Sequence, residues 1–375
     1  MKSNANDQEW SITLDSYGID MAIDSNNCIY IASRVNLAKY NTSGIQLWNK
    51  ELEGIVYEPF IKTDFNNNLY LANVYIKETN QTLSWNATLF KFNPLGDLQW
   101  QTTCEYDHIA DIAVDSDNNI YIYGSLEEKL MLTKYNETGA QIWSLEFQDM
   151  GYGLDILIDS NFNIIISGIS TSTYWLKSYN ASRELQWSIS YECESFPLLG
   201  LDSLNGIISI ASNCSQLDLV KYDNFGNSIW NYKLETASFY LSEGIGPPIP
   251  MKYRYDLSLD LSDSIYLGWE IEIPNEMYNT DILMIKVNSS GTFEWFLTWG
   301  GPDNDYISKI RTDSDNNIYL LAGNMLVKNP VSNGKTLFRT NLWDFYFILF
   351  GIFCGVSLIS LYFIIRSKIR SRPIK

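Results

Sequence analysis

The sequence predicts an all-β fold: a seven-bladed β-propeller of four-stranded blades, closed by its N-terminal strand and followed by one C-terminal transmembrane helix. Three observations predict it. An aspartate leading into a polar turn and an apolar strand recurs at Asp24, Asp64, Asp115, Asp159, Asp202, Asp260 and Asp313, at spacings of 40, 51, 44, 43, 58 and 53 residues. These spacings lie within or somewhat beyond the length of a propeller blade. A tryptophan after Lys-Tyr-Asn-x-x-Gly recurs at Trp48, Trp100, Trp143, Trp187, Trp230 and Trp295. The chain opens with QEWSITL, which matches the last strand of a repeat, so Trp10 completes the tryptophan series. A ring in which this strand closes the seventh blade leaves no free sheet ends.

Residues 111–143 show how one unit is built. DIAVD, IYIYG, LMLTKY and AQIWSLEF are four short strands, separated by the turn SDNN, a loop and the turn NETG. Asp and Asn in SDNN hydrogen-bond their own turn backbone, and Gly139 supplies an easy positive φ. The IYIY run is β-branched, aromatic and apolar on both faces, as a sheet sandwiched between two blades requires. The tryptophans fill the widening gap between blades at the rim. Some copies drift: Arg183 replaces the turn glycine, and Phe92 and Val287 replace the tyrosine. DSDNN superficially resembles the start of a calcium loop, but no bidentate glutamate follows and a turn role explains all seven copies.

The unit resembles the SBBP-type β-propeller repeat, and more loosely NHL and quinoprotein-type repeats. The best local match is WGGPDNDYISKIRTDSDNNIYLLAG, residues 299–323, with a GG-x-x-x-D lead-in. The resemblance covers residues 10–327 and implies a secreted or surface propeller. It transfers no catalytic residues. The quinoprotein branch would imply a quinone, but this chain lacks that branch's eightfold regularity, so no cofactor is expected.

The pattern ends at residue 327. Residues 328–344 read as a polar stalk, and 345–365 form a stretch of 21 residues without a charge, long enough to span a bilayer as a helix. Trp343, Tyr346 and Tyr362 suit its two interfaces. Residues 366–375 carry Arg366, Lys368, Arg370, Arg372 and Lys375, which predicts a cytoplasmic C-terminus and an external propeller at the cell membrane. Residues 1–16 contain no apolar signal segment, so this orientation expects a signal that was removed or lies upstream. Unconventional translocation and a tail-anchored propeller inside the cell are the alternatives. Seven N-x-S/T sequons, from Asn41 to Asn288, do not decide between them.

Charge and composition narrow the functions. Residues 1–365 carry 21 positive against 44 negative charges, a surface that repels nucleic acid. His108 is the single histidine, and no C-x-x-C occurs among Cys28, Cys104, Cys193, Cys214 and Cys354. This leaves little for a metal site or a nucleophile triad.

Strand alternation puts both tight turns of each blade on one face and the variable connections on the other. Insertions at 76–88, 234–255 and 270–280 mark the variable face as the candidate binding surface. It would offer Trp85, Tyr174, Trp175, Phe239, Tyr240, Tyr253, Tyr255, Trp269 and Tyr278 to a sugar or a protein, unless these rings pack their own loops. Four residues before the turn aspartate stand Asp20, Asp111, Asp155 and Asp256, sharing a side with Lys62 and Arg311. They read either as a charged channel mouth or as acceptors for backbone N–H groups where blades begin. Cys193 and Cys214 are candidates for a disulfide on the same face. His108, flanked by Asp107 and Asp111, is a weak candidate for a general base.

The sequence therefore expects a membrane-anchored surface module that binds polysaccharide or protein. A surface lyase or hydrolase at the channel mouth, and a tail-anchored cytosolic scaffold, are the alternatives.

Overall fold

The computed structural model describes residues 9–52, 58–79, 82–170, 173–192, 198–213, 216–235, 255–272, 280–301 and 304–330. They form seven four-stranded antiparallel sheets arranged as the blades of a propeller. Blade three is typical, with strands His108–Val114, Ile120–Leu126, Lys129–Tyr135 and Gln141–Met150 in sequential order from the channel outwards. In blade seven the outermost strand is Trp10–Thr13, paired antiparallel with Met325–Lys328. The N-terminal strand thus closes the ring as expected. Residues 345–365 lie outside the described residues, among which no helix is long and apolar enough to cross a membrane.

The core is divided among the seams. Seven hydrophobic clusters each join one pair of neighbouring blades, as where Tyr123, Leu130 and Leu132 of blade three meet Ile156, Ile166 and Trp175 of blade four. Non-directional apolar burial holds the seams. Directional bonds set their register.

Two kinds of directional bond recur. At the rim, the indole N–H of Trp10, Trp48, Trp100, Trp187 and Trp230 donates to a carbonyl in the next blade's outer turn, at 2.9–3.3 Å. The turn glycines Gly44, Gly96, Gly139, Gly226 and Gly291 lie against these rings with φ between 76° and 86°, where a Cβ would meet the indole at 2.7–3.2 Å. Arg183 holds the glycine position in blade four at φ 67°, and its guanidinium lies over the Trp143 ring, 5.2 Å from the centroid. Near the channel, the first turn of one blade bonds the first turn of the next. Asn67 Oδ1 accepts from the N–H and hydroxyl of Ser25, Asp263 binds Ser203, and Asn27 Oδ1 accepts from Ser314. At the seam of blades two and three Phe65 stands where those blades have serine, and Asn118 Oδ1 is buried with no partner among the described residues.

Two of these substitutions can be tested. Arg183→Gly relieves a left-handed backbone conformation by about 1 kcal/mol and loses a cation–π contact of about 0.5–1 kcal/mol, so it should leave stability nearly unchanged. Arg183→Ala keeps the backbone strain and should lose about 0.5–1 kcal/mol in urea unfolding. Phe65→Ser restores the missing seam bond and is expected to stabilise the fold by about 1 kcal/mol, read as a raised midpoint in the same experiment.

Candidate binding site at the channel mouth

The innermost strands run from the variable face to the tight-turn face, so residues at one distance before the turn aspartate form one layer of the channel. The layer four residues before it holds Asp20, Phe60, Asp111, Asp155, Leu198, Asp256 and Lys309. In blades one, three, four and seven this residue follows a register shift in the inner strand, at Gly18/Asp20, Ile109/Asp111, Gly153/Asp155 and Ile307/Lys309. Bulges re-aim a side chain, and here they occur beside the charged positions.

The carboxylates stitch blade to blade. Asp20 Oδ2 accepts the N–H of Ile61 at 2.7 Å, Asp155 Oδ2 that of Leu199 at 2.8 Å, and Asp256 Oδ2 that of Ile310 at 2.7 Å. The role in satisfying backbone N–H groups therefore holds for three of the four aspartates. The same groups also form a charged layer. Arg311 donates to Asp256 Oδ2 at 2.6 Å and lies 3.8 Å from Asp20 Oδ1. Lys309 Nζ stands between the same two carboxylates, at 3.5 Å from Asp256 and 3.7 Å from Asp20. Lys62 Nζ is 3.6 Å from Asp111. Both readings apply to one set of residues.

Lys309 escaped the sequence reading, although its place four residues before Asp313 is the signal that would have found it. Burial pulls its ammonium group down, but the carboxylates of Asp256 and Asp20 prevail and hold its pKa above the ordinary lysine value. Asp155 goes the other way from a paired carboxylate. Burial first, then the Asp111 carboxylate beside it, push its pKa well above the usual range, against Lys62 and the Leu199 N–H. Beside Asp155, the carboxylates of Asp20, Asp111 and Asp256 are set among the side chains of Lys62, Lys309 and Arg311.

Above it lies a second layer, seven residues before the turn aspartate. It contains Tyr17, His108, Tyr152 and Tyr306, and by sequence also Tyr57 and Tyr253, which lie outside the described residues. Tyr17 is 66% and Tyr152 70% exposed, large values for rings at the start of a strand. Tyr17 lies against Gly323 in the hairpin of blade seven, on the variable face. The His108 side chain is half-exposed, with Nε2 3.8 Å from Glu58 Oε2. The carboxylate beside its ring is thus Glu58, while Asp111 pairs with Lys62. Counting back seven residues from each turn aspartate would have revealed this aromatic collar in the sequence.

The other aromatic candidates are placed differently. Tyr174, Trp175 and Trp269 are buried in the seams, with Tyr174 hydroxyl 3.0 Å from Ser209 Oγ. They belong to the core because they alternate into positions facing the neighbouring blade, and they do not form an open surface. Tyr255 is half-buried against the cluster of blades five and six. Residues 76–88, read as a loop insertion, instead extend a hairpin, Leu69–Thr79 paired with Thr82–Phe92. The side chain of Trp85 lies outside the described residues, as do Phe239, Tyr240, Tyr278, Cys193 and Cys214. Among the described residues, no group of three or more His, Cys, Asp or Glu is placed to hold a metal ion.

Comparison with solved structures agrees on the fold. The chain is similar to a catalytically inactive virginiamycin B lyase from Staphylococcus aureus with quinupristin, at 8% identity and a TM-score of 0.59, covering 85% of this chain and 97% of that one. It is similar to a chain of the mitotic checkpoint complex, at 12% identity and a TM-score of 0.58, covering 88% and 96%. It is also similar to the WD40 β-propeller domain of Doa1, at 12% identity and a TM-score of 0.55, covering 89% and 100%. No protein-family model and no curated protein sequence matches the chain. It is a seven-bladed β-propeller. At these identities the likeness is one of fold alone.

The raised pKa of Asp155 gives a testable sign. A carboxyl whose folded-state pKa lies above its unfolded value, about 3.9, adds stability below that unfolded value and loses it as pH rises through the folded one. Asp155→Asn keeps an acceptor for the Leu199 N–H and removes the repulsion from Asp111. The variant should therefore melt higher than wild type at pH 8, with the advantage shrinking toward pH 4. Thermal unfolding across that range reads it.

Proposed function

We propose that the protein is a membrane-anchored propeller that binds a carbohydrate-bearing surface ligand at the mouth of its channel. The observation that carries this reading is the repeated ring position of Tyr17, His108, Tyr152 and Tyr306 above a charged layer, with Tyr17 and Tyr152 well exposed. Tyrosine rings offer a flat apolar face with a polar edge, which suits stacking on sugars. The charges beneath are already paired among themselves, so the mouth does not draw in a strongly charged partner. That favours a neutral ligand.

The apolar span 345–365 and the basic residues that follow it support the anchor. The resemblance of residues 299–323 to SBBP-type repeats supports display at the cell surface. The propeller structures that this chain resembles include a chain of a protein complex and a lyase, so a protein ligand and a catalytic role are the competing readings. His108 does not favour catalysis here, because its partner is Glu58 and Asp111 is held by Lys62.

Binding of the full-length protein in detergent to neutral cell-surface polysaccharides tests the proposal. Tyr17→Ala and Tyr152→Ala, each exposed and outside the seams, should weaken binding about tenfold or more, or about 1.4 kcal/mol. Unchanged affinity in both variants would remove the collar from the site. Saturable binding to a protein alone would replace the carbohydrate.

A further inference from the structure

We infer that the tight-turn face is a second interaction surface, one that rests on the headgroup region of an electrically neutral lipid bilayer. This inference rests on the membrane anchor proposed above. It starts from the tips of the turns. In the second turn of a blade, the residue before the glycine position is Ser43, Thr138, Ser182 or Ser290 in four blades, but Leu95 in blade two and Phe225 in blade five. In the first turn, the residue after the aspartate is serine in five blades, but Phe65 in blade two and Leu261 in blade six. One position further, Leu204 of blade five stands where the others have Asn, Asp or Ser. These five side chains are 71–80% exposed, so none was recruited into a seam.

Scattered exposed apolar residues are ordinary. Their distribution here is not scattered. All five project from one face, and they occur in blades two, five and six, with Ile45 of blade one at the same face and 62% exposed. Blade seven, between these groups, is where the chain departs. The strand Met325–Lys328 runs toward the tight-turn face, and Asn329 is fixed there by bonds with Ile318. The uncharged residues 345–365 begin 15 positions after Pro330 in sequence. The turn tips of blade three, across the ring, are Ser116, Asp117, Glu137 and Thr138.

Phe65 adds an independent sign. It occupies a serine position at a seam that lacks its turn-to-turn bond, with Asn118 Oδ1 buried and unpaired. A residue that gives up a seam bond and stays 72% exposed is explained by a contact outside the chain. The occupant follows from the chain itself, because its last described residues, Asn329 and Pro330, lie at this face and the uncharged span 345–365 follows in sequence. The turns also carry Asp97, Asp223 and Asp263, so an anionic surface would repel the face and a zwitterionic one would not.

Photo-crosslinking of the full chain reconstituted in phosphatidylcholine vesicles tests this. Benzoylphenylalanine is placed singly at Phe65, Leu204 or Phe225, at Thr138 on the far side of the same face, and at Val35 on the opposite face. The expected result is flotation with the vesicles and lipid adducts at positions 65, 204 and 225 at least fivefold above those at 138 and 35. Flotation with equal or absent adducts at all five positions would overturn the inference and leave the anchor standing. A chain that does not float would refute the anchor itself, and this inference with it.

Discussion

Every blade depends on one buried carboxylate. In blade three, Asp115 Oδ1 accepts the N–H groups of Asp117 and Asn119, while Oδ2 accepts the Tyr121 hydroxyl and faces Lys134 Nζ at 3.0 Å. Its side chain is wholly excluded from solvent. A buried charge is tolerable only when it is fully paired, and stripping one partner from such a pair destabilises by about 3–5 kcal/mol. The pairing has a geometric consequence, since the turn, the second strand and the third strand meet at one group. The tyrosine lies under the lysine, with Lys134 4.8 Å from the Tyr121 centroid. Tyr30 with Lys39, Tyr70 with Lys91 and Tyr266 with Lys286 repeat the arrangement. Where isoleucine replaces the tyrosine, in blades four and five, Asn163 and Lys221 take up the carboxylate instead. The fourth strand is tied in by its tryptophan, which reaches the next blade. One motif therefore builds the blade and fixes its neighbour.

Two carboxylates with opposite titration show how much neighbours decide. Burial alone would raise Asp115, but the Asn119 side chain and backbone and the Lys134 ammonium override it and hold its pKa below the usual range. Asp155 is buried too, but its nearest acidic neighbour is Asp111, and it is driven up. The first group supports the blade above its unfolded pKa and loses that support as acid protonates it. The second behaves in the reverse sense. The seven turn aspartates are thus committed to structure, which accounts for them more fully than a cation would.

Much of the fold was legible because its rules are local. The spacing of the turn aspartates, the tryptophan series and the closing strand at Trp10 are all matters of period, and each reappears as a sheet or a seam. The charged layer was legible in part. Asp20, Asp111, Asp155, Asp256, Lys62 and Arg311 do come together, because they share a depth along equivalent strands. Lys309 was missed because a lysine was not sought at an aspartate position. Tyr174, Trp175 and Trp269 were misplaced for a different reason. Their neighbourhood in sequence is variable, but seam packing is decided by the facing blade, which can lie more than 30 residues away, as Ser209 does from Tyr174. The aromatic collar stands seven residues before the turn aspartates, outside the turn-and-strand motif by which the repeat is recognised.

The repeat also makes departures from it informative, since six other copies show what the fold requires at each position. On the variable face the departures are charged or aromatic, and the charged ones are answered by partners in the adjacent blade. On the tight-turn face Phe65, Leu95, Leu204, Phe225 and Leu261 stand in place of Ser, Thr, Asn or Asp and stay 71–80% exposed. Selection for stability alone would not keep Phe65 in a serine position, where it removes a bond and exposes a ring. Selection for solubility would not keep Leu204 and Phe225 at the tips of turns. On the anchoring inferred above, the two faces answer to different surroundings, an aqueous one at the channel mouth and a membrane one around the point where the chain leaves blade seven. A disc held at one edge by its own chain would place those surroundings on opposite sides, and the arc of apolar tips on both sides of blade seven follows that edge.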